Sequence, residues 1–176
     1  MLRKAKSTEL DEIMLIIEDG REFLRQQGIN QWQHGSPDKE TIEQDIKNQT
    51  SYVYEKVGEI VATAMINNYD KDYEKYTTLW SKCDNYLVIH RIATIKHKRN
   101  QGVGRQFLSA IVEFAKKENI DYIRIDTHKD NKIMRKFLSN FGFVELGEIK
   151  LTMKNNLDDK ERIAYELKVQ QSKSFM

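Results

Sequence analysis

Arg99-Asn-Gln-Gly-Val-Gly104 is the stretch on which the reading of this chain turns. Before it runs Tyr86-Leu-Val-Ile-His-Arg-Ile-Ala-Thr-Ile95, apolar enough to be a buried strand. After it, Phe107, Leu108, Ile111, Val112, Phe114 and Ala115 recur at helical spacing through Lys117. A strand, a glycine turn and a helix start together make an anion site. The first N–H groups of a helix have no partner within it, and the helix dipole adds positive potential there. Gly102 and Gly104 let backbone approach a ligand closely. The segment predicts a phosphate or pyrophosphate cradle.

Two familiar phosphate loops are excluded. Nothing here fits Gly-x-x-x-x-Gly-Lys-Ser/Thr, and a dinucleotide fingerprint needs a third glycine where Phe107 stands. The pattern that fits is Arg/Gln-x-x-Gly-x-Gly/Ala, met by Arg99, Gly102 and Gly104. Taken alone, the loop also suits an ordinary helix entry, so the rest of the chain decides. Downstream comes Tyr122-Ile-Arg-Ile-Asp-Thr-His128, an alternating strand, then Asn131-Lys-Ile-Met-Arg-Lys-Phe-Leu-Ser-Asn-Phe-Gly-Phe143. Asp130 or Asn131 predicts an N-cap, Ile133, Met134, Phe137 and Leu138 an apolar stripe, and Gly142 a helix end.

These two blocks, in this order, resemble the GNAT superfamily of N-acetyltransferases. The first is similar to its acyl-CoA pyrophosphate loop. The second resembles its Asn-x-x-Ala-x-x-Leu-Tyr-x-x-x-Gly-Phe segment, with Asn131, Phe137, Gly142 and Phe143 retained and Met134 in place of the small residue. The resemblance implies acetyl-CoA as co-substrate. The pyrophosphate would lie on amides of Arg99, Asn100, Gln101, Gly102, Val103, Gly104 and Arg105. The pantetheine would pair with Ile92, Ala93 and Thr94 where the fourth and fifth strands splay, and Asn131 and Phe137 would border its arm.

The remaining chain suits one domain over residues 1–168, with 169–176 expected to fray. Leu2–Ala5 reads as a strand. A helix follows, capped by Ser7 or Thr8 and stopped by Gly28, and a second starts at Asp38. Ser51–Glu55 and Glu59–Ile66 form a hairpin through Val57-Gly58, and the tyrosine-rich 67–85 stretch is a loop with a helical turn or two. Phe143–Lys150 and Arg162–Lys168 are the last strands. The order βααβββαβαββ predicts an α+β fold with a mixed sheet, in which a splayed parallel pair is flanked by helices.

Composition narrows function. Among 176 residues, 29 lysines and arginines nearly balance 27 acidic residues, and the basic ones are scattered, which speaks against a nucleic-acid surface. No apolar run is long enough to span a bilayer, and no signal-type apolar region follows Met1, so the expected compartment is the cytoplasm. Cys83 is the sole cysteine, and His34, His90, His97 and His128 lack zinc spacing, so no metal is expected.

Acetyl transfer needs a neutral amine, a polarised thioester carbonyl and a leaving thiolate. His90 is the candidate base, with a satisfied polar residue of a central strand as the alternative. The backbone N–H of Ala93 is the candidate oxyanion donor. Arg124, Asp126 and His128 share a face of the fifth strand, and a buried Arg91–Asp126 or Arg124–Asp126 pair is expected. The resemblance places a proton-donating tyrosine where Leu138 stands, leaving Tyr165 or another tyrosine to supply the acid. Gln31, Trp32, His34, Trp80, Asp126 and His128 are the candidate acceptor-binding residues. The expected partner is a small-molecule amine. A protein or peptide amine, a non-catalytic acyl-CoA sensor and a homodimer stay open.

Overall fold

The computed structural model describes residues 1–171. Seven strands are β1 (Leu2–Lys4), β2 (Ser51–Lys56), β3 (Glu59–Asn67), β4 (Tyr86–Thr94), β5 (Tyr122–Thr127), β6 (Val144–Lys150) and β7 (Glu161–Lys168). Four helices are α1 (Leu10–Gln26), α2 (Lys39–Lys47), α3 (Val103–Lys117) and α4 (Lys132–Phe141). They form one sheet in the order β1-β2-β3-β4-β5-β7-β6, antiparallel except where β4 meets β5. The expected α+β class and mixed sheet are what the chain adopts.

Local chemistry accounts for the elements. Asp38 and Asn131 cap α2 and α4 by accepting the amides of Thr41 and Met134. Val57 and Gly58, both at positive φ, make the β2–β3 turn that the strand twist favours. The first helix differs from expectation: neither Ser7 nor Thr8 caps it. Glu9 instead accepts the Lys6 amide at 2.8 Å, while its own amide donates to the Lys6 carbonyl.

Ile89, Ile123 and Ile125 pack on one face with Phe107, Leu108, Ile111 and Leu138 of α3 and α4. On the other face Ile13, Ile16, Ile17 and Ile42 of α1 and α2 cover Val53 and Ala93. The 67–85 segment folds over that second face, where Tyr73 and Trp80 meet Val88, Ile149 and Ala164. The predicted fraying does not start at 169: Val169 is buried, and its amide donates to the Asp121 carbonyl at 2.8 Å. The remainder of that tail, 172–176, lies outside the described residues.

Two irregularities open the sheet. The parallel pairing runs from Tyr86↔Tyr122 to Ile89↔Ile125 and ends there, although β4 continues to Thr94. Between the pairs Thr63↔Ala93 and Met65↔His90, Ala64 of β3 faces both Arg91 and Ile92. This bulge holds Arg91 at a φ of 52°. The extra residue turns His90 and Ala93, three positions apart, toward the same face.

Candidate active site

The splay forms the floor of a cleft of about 680 Å³. At one end lie Arg99, Asn100, Gly102, Val103, Gly104 and Arg105, where β4 gives way to α3. Gly102 has a φ of 76°, a left-handed conformation that a Cβ would strain, and it starts α3 with amides unpaired. Gly104 lies against α4: a Cβ there would touch the Phe137 ring at 3.4 Å, an ordinary contact. Arg99 does not reach into the cradle as a free cation. Its Nη2 donates to the Asp19 carbonyl at 2.6 Å, and its guanidinium lies 4.5 Å from the Phe23 ring centroid. Gln101 faces outward and donates to the His97 carbonyl.

In the middle of the cleft, the backbone register corrects one expectation. The Ile95 amide donates to the Val61 carbonyl, so alternation commits Ala93 to its partner Thr63. The Ala93 N–H is therefore not available as an oxyanion donor. Ile92 and Thr94 turn their polar groups toward the gap that β5 vacates. Asn131 and Phe137 border the same space, although Asn131 Oδ1 is occupied in capping α4.

His90 borders the cleft and is held by carboxylates on both sides. Its Nε2 lies 2.5 Å from Asp70 Oδ2, and its Nδ1 lies 3.8 Å from Asp126 Oδ2. Burial pushes the Asp70 carboxyl up, but the His90 contact and the amides of Tyr73 and Asp72 outweigh it, holding it below the usual carboxylate range. Asp70 is thus the anion that accepts from Nε2–H, and Nδ1 is the ring nitrogen turned toward Asp126 on the cleft wall. Behind them the fully buried Tyr73 hydroxyl donates to Asp126 Oδ2 at 2.5 Å. Burial, then the Asp126 charge, raises the Tyr73 hydroxyl well above its ordinary value, so it stays a donor.

The predicted arginine pairs with Asp126 do not form. Arg91 makes a bidentate pair with Asp45 of α2 at 2.7 and 2.8 Å, because the bulge swings it toward the helices. Arg124 pairs with Glu166 directly across on β7 and stacks on Tyr86 and Trp80. The cation beside Asp126 is Arg162, whose Nε lies 3.6 Å from Oδ1.

Of the acceptor candidates, Gln31, Trp32 and Asp126 border the cleft. Trp32 can lie there because Gly20 of α1 has no side chain; a Cβ would meet its ring at 3.0 Å. Three candidates lie elsewhere. Trp80 is buried against Tyr73, to whose carbonyl its Nε1 donates. His128 is 2% exposed and bound to Asp159 at 2.8 Å, while His34 holds the buried Asp158 at 2.9 Å. His34 and Asn30 fasten the β6–β7 connection to the loop after α1, and His128, just past the end of β5, holds the same connection. Tyr165 is no acid for this site either, since it bonds Arg135 and Glu145 beyond the opposite face. Among the described residues, no group of three or more His, Cys, Asp or Glu side chains is disposed to hold a metal, and no helix is long and apolar enough to cross a membrane.

Asp70, Tyr73, Arg162 and Gly20 are site residues that sequence reasoning passed over. Only Asp70-Lys-Asp-Tyr73, an acidic and aromatic cluster inside a polar loop, offered a signal.

An open parallel pair with a glycine turn at its mouth is the arrangement that the resemblance to acyltransferases implies. Comparison with known proteins makes this specific. The profile of the Acetyltransferase (GNAT) family matches residues 17–143, and the chain belongs to that family. A GNAT-family acetyltransferase from Streptococcus agalactiae 2603 is 28% identical, with a TM-score of 0.83 over 98% of this chain and 96% of its own. One from Listeria monocytogenes 4b F2365 is 21% identical, with a TM-score of 0.70 over 96% and 94%. The ribosomal-protein-alanine N-acetyltransferase of Brucella melitensis, at 17% identity and a TM-score of 0.70 over 96% and 99%, shares the fold. No curated protein matches the sequence.

Proposed function

We propose that this acetyltransferase moves the acetyl group of acetyl-CoA directly to the primary amine of a small molecule. The observation that carries the reading is the continuity of one cleft from the Gly102 turn, along the unpaired edge of β4, to His90. The fit to acetyl-CoA rests on chemistry present there: unpaired α3 amides for pyrophosphate, and amides of Ile92 and Thr94 for pantetheine. When bound, acetyl-CoA supplies a thioester-activated acetyl group and a thiol as leaving group.

The residues then have distinct tasks. His90 Nδ1 takes the proton that the amine nitrogen must lose, and Asp70 fixes the tautomer and stabilises the resulting imidazolium. Asp126, oriented by Tyr73, draws the acceptor ammonium toward His90. An amide of Ile92 or Thr94 is aimed where the carbonyl oxygen becomes an oxyanion. No tyrosine borders the cleft, so the proton for the departing thiolate comes from the imidazolium or from water. Cys83, whose thiol burial pushes up, contacts Arg124 away from the cleft and takes no covalent part.

The test is thiol release from acetyl-CoA across a panel of amines, amino acids and peptides. Turnover of a small amine is expected. Turnover of peptides alone would move the acceptor to proteins, and acetyl-CoA binding without any turnover would make the chain a sensor.

A further inference from the structure

Arg162 is the least explained cation in the cleft. It is 2% exposed, yet it borders the cleft wall. Its Nη1 donates to the carbonyls of Asp159 and Glu161 at 2.5 and 2.9 Å. Its other edge makes no hydrogen bond among the described residues, and the carboxylate it faces, Asp126, stays 3.6 Å from Nε. Asp126 is in turn engaged by Tyr73 and faces His90. Nε and Nη2 are thus donors on the cleft side of a largely buried guanidinium, answered by no protein hydrogen bond among the described residues and left for water or a ligand to fill. Arg91, also on the cleft, shows the contrast, since its Nε and Nη2 are both taken by Asp45.

The sheet explains why the fork is open. Asp126 lies opposite Ala164 on β7, and Arg162 is two residues along on the same face. The small Ala164 side chain leaves space between cation and carboxylate.

Resting on the acetyltransferase reading above, we propose that the acceptor is a small amino carboxylate. Its carboxylate takes the Nε–Nη2 fork of Arg162, and its ammonium sits at Asp126 and His90. Charges then alternate along the wall: acceptor carboxylate, Arg162, Asp126, acceptor ammonium. A planar bidentate fork matches a carboxylate in a way a lysine cannot.

The experiment compares kcat/KM, at saturating acetyl-CoA, for L-amino acids, the amines that remain when their carboxylate is removed, and their methyl esters. The wild type is expected to favour the free acid by about tenfold or more, the usual worth of a charge-assisted pair. In Arg162→Lys that preference should collapse, mainly through KM, with calorimetric acetyl-CoA affinity unchanged. A structural role alone would lower all three substrates together. Equal use of acid, amine and ester by the wild type overturns the proposal, as does exclusive use of peptides or an unchanged preference in Arg162→Lys. Should that variant fail to fold, the wild-type preference decides alone. Turnover confined to carboxylate-free amines sinks this inference while sparing the acetyltransferase reading; no turnover of any amine removes both.

Discussion

Replacing Asp70 by asparagine changes one atom and one charge beside His90. Asp70 Oδ1 accepts the amides of Asp72 and Tyr73 at 2.8 and 3.0 Å, and an asparagine oxygen keeps both. What changes is Oδ2, 2.5 Å from His90 Nε2, which becomes an NH2 group. Two N–H donors cannot face each other at that distance, so the imidazole must move its proton to Nδ1. The lone pair is then spent on the asparagine, and the nitrogen facing the cleft has none to accept a proton. The variant also loses a charge-assisted hydrogen bond to the imidazolium, worth about 1.5–3 kcal/mol. That corresponds to a loss of roughly ten- to 150-fold in kcat/KM, with the tautomer change adding to it. The assay is thiol release at neutral pH with acetyl-CoA affinity measured in parallel. The drop should fall on turnover, with acetyl-CoA affinity close to wild type and the melting temperature lowered only by the loss of the Asp70 charge. Wild-type turnover in Asp70→Asn would refute the His90–Asp70 reasoning, and loss of acetyl-CoA binding would show the loop to be structural.

The same carboxyl carries a stability prediction. Its folded pKa is depressed, so its contribution is present above the ordinary value of 3.8 and is lost as pH falls through the folded value. Wild type should therefore lose more stability than Asp70→Asn between pH 5 and pH 2, roughly the acid window for a depressed aspartate, as urea unfolding would register. At Gly102, with φ at 76°, valine should cost about 1–2 kcal/mol of stability and abolish acetyl-CoA binding; calorimetry showing undiminished affinity would remove the turn from the cofactor site. Glu166→Ala strands the buried Arg124 and should destabilise by about 3–5 kcal/mol. Its melting curve is the check, and a shift of under a degree would contradict the assigned pairing. Cys83→Ala should retain full turnover, whereas a dead variant would point to an acetyl-enzyme.

Much of this was legible in the chain because it depends on local pattern. The Val57-Gly58 turn, the Asp38 and Asn131 caps and the apolar stripe of α3 are decided by neighbours in sequence, and each appears where periodicity places it. The glycine turn after β4 was readable for the same reason. What failed depends on which strands end up adjacent and in what register. Arg124 finds Glu166 only because β7 inserts beside β5, and Arg91 leaves Asp126 because of a bulge that no residue type announces. His128 and Trp80 have the chemistry of site residues, but cross-sheet packing buries both outside the cleft. Asp70 and Tyr73 were hidden in a polar loop whose path over the sheet is set by long-range contacts, including the bonds of Asp72 to Thr152.

Calorimetric titration of the protein with acetyl-CoA, beside the Gly102→Val variant, tests the central claim most directly. Saturable one-to-one binding by the wild type, absent in the variant, is the result predicted by a cofactor cleft that begins at the α3 turn. No heat with either protein, or equal binding by both, would contradict it.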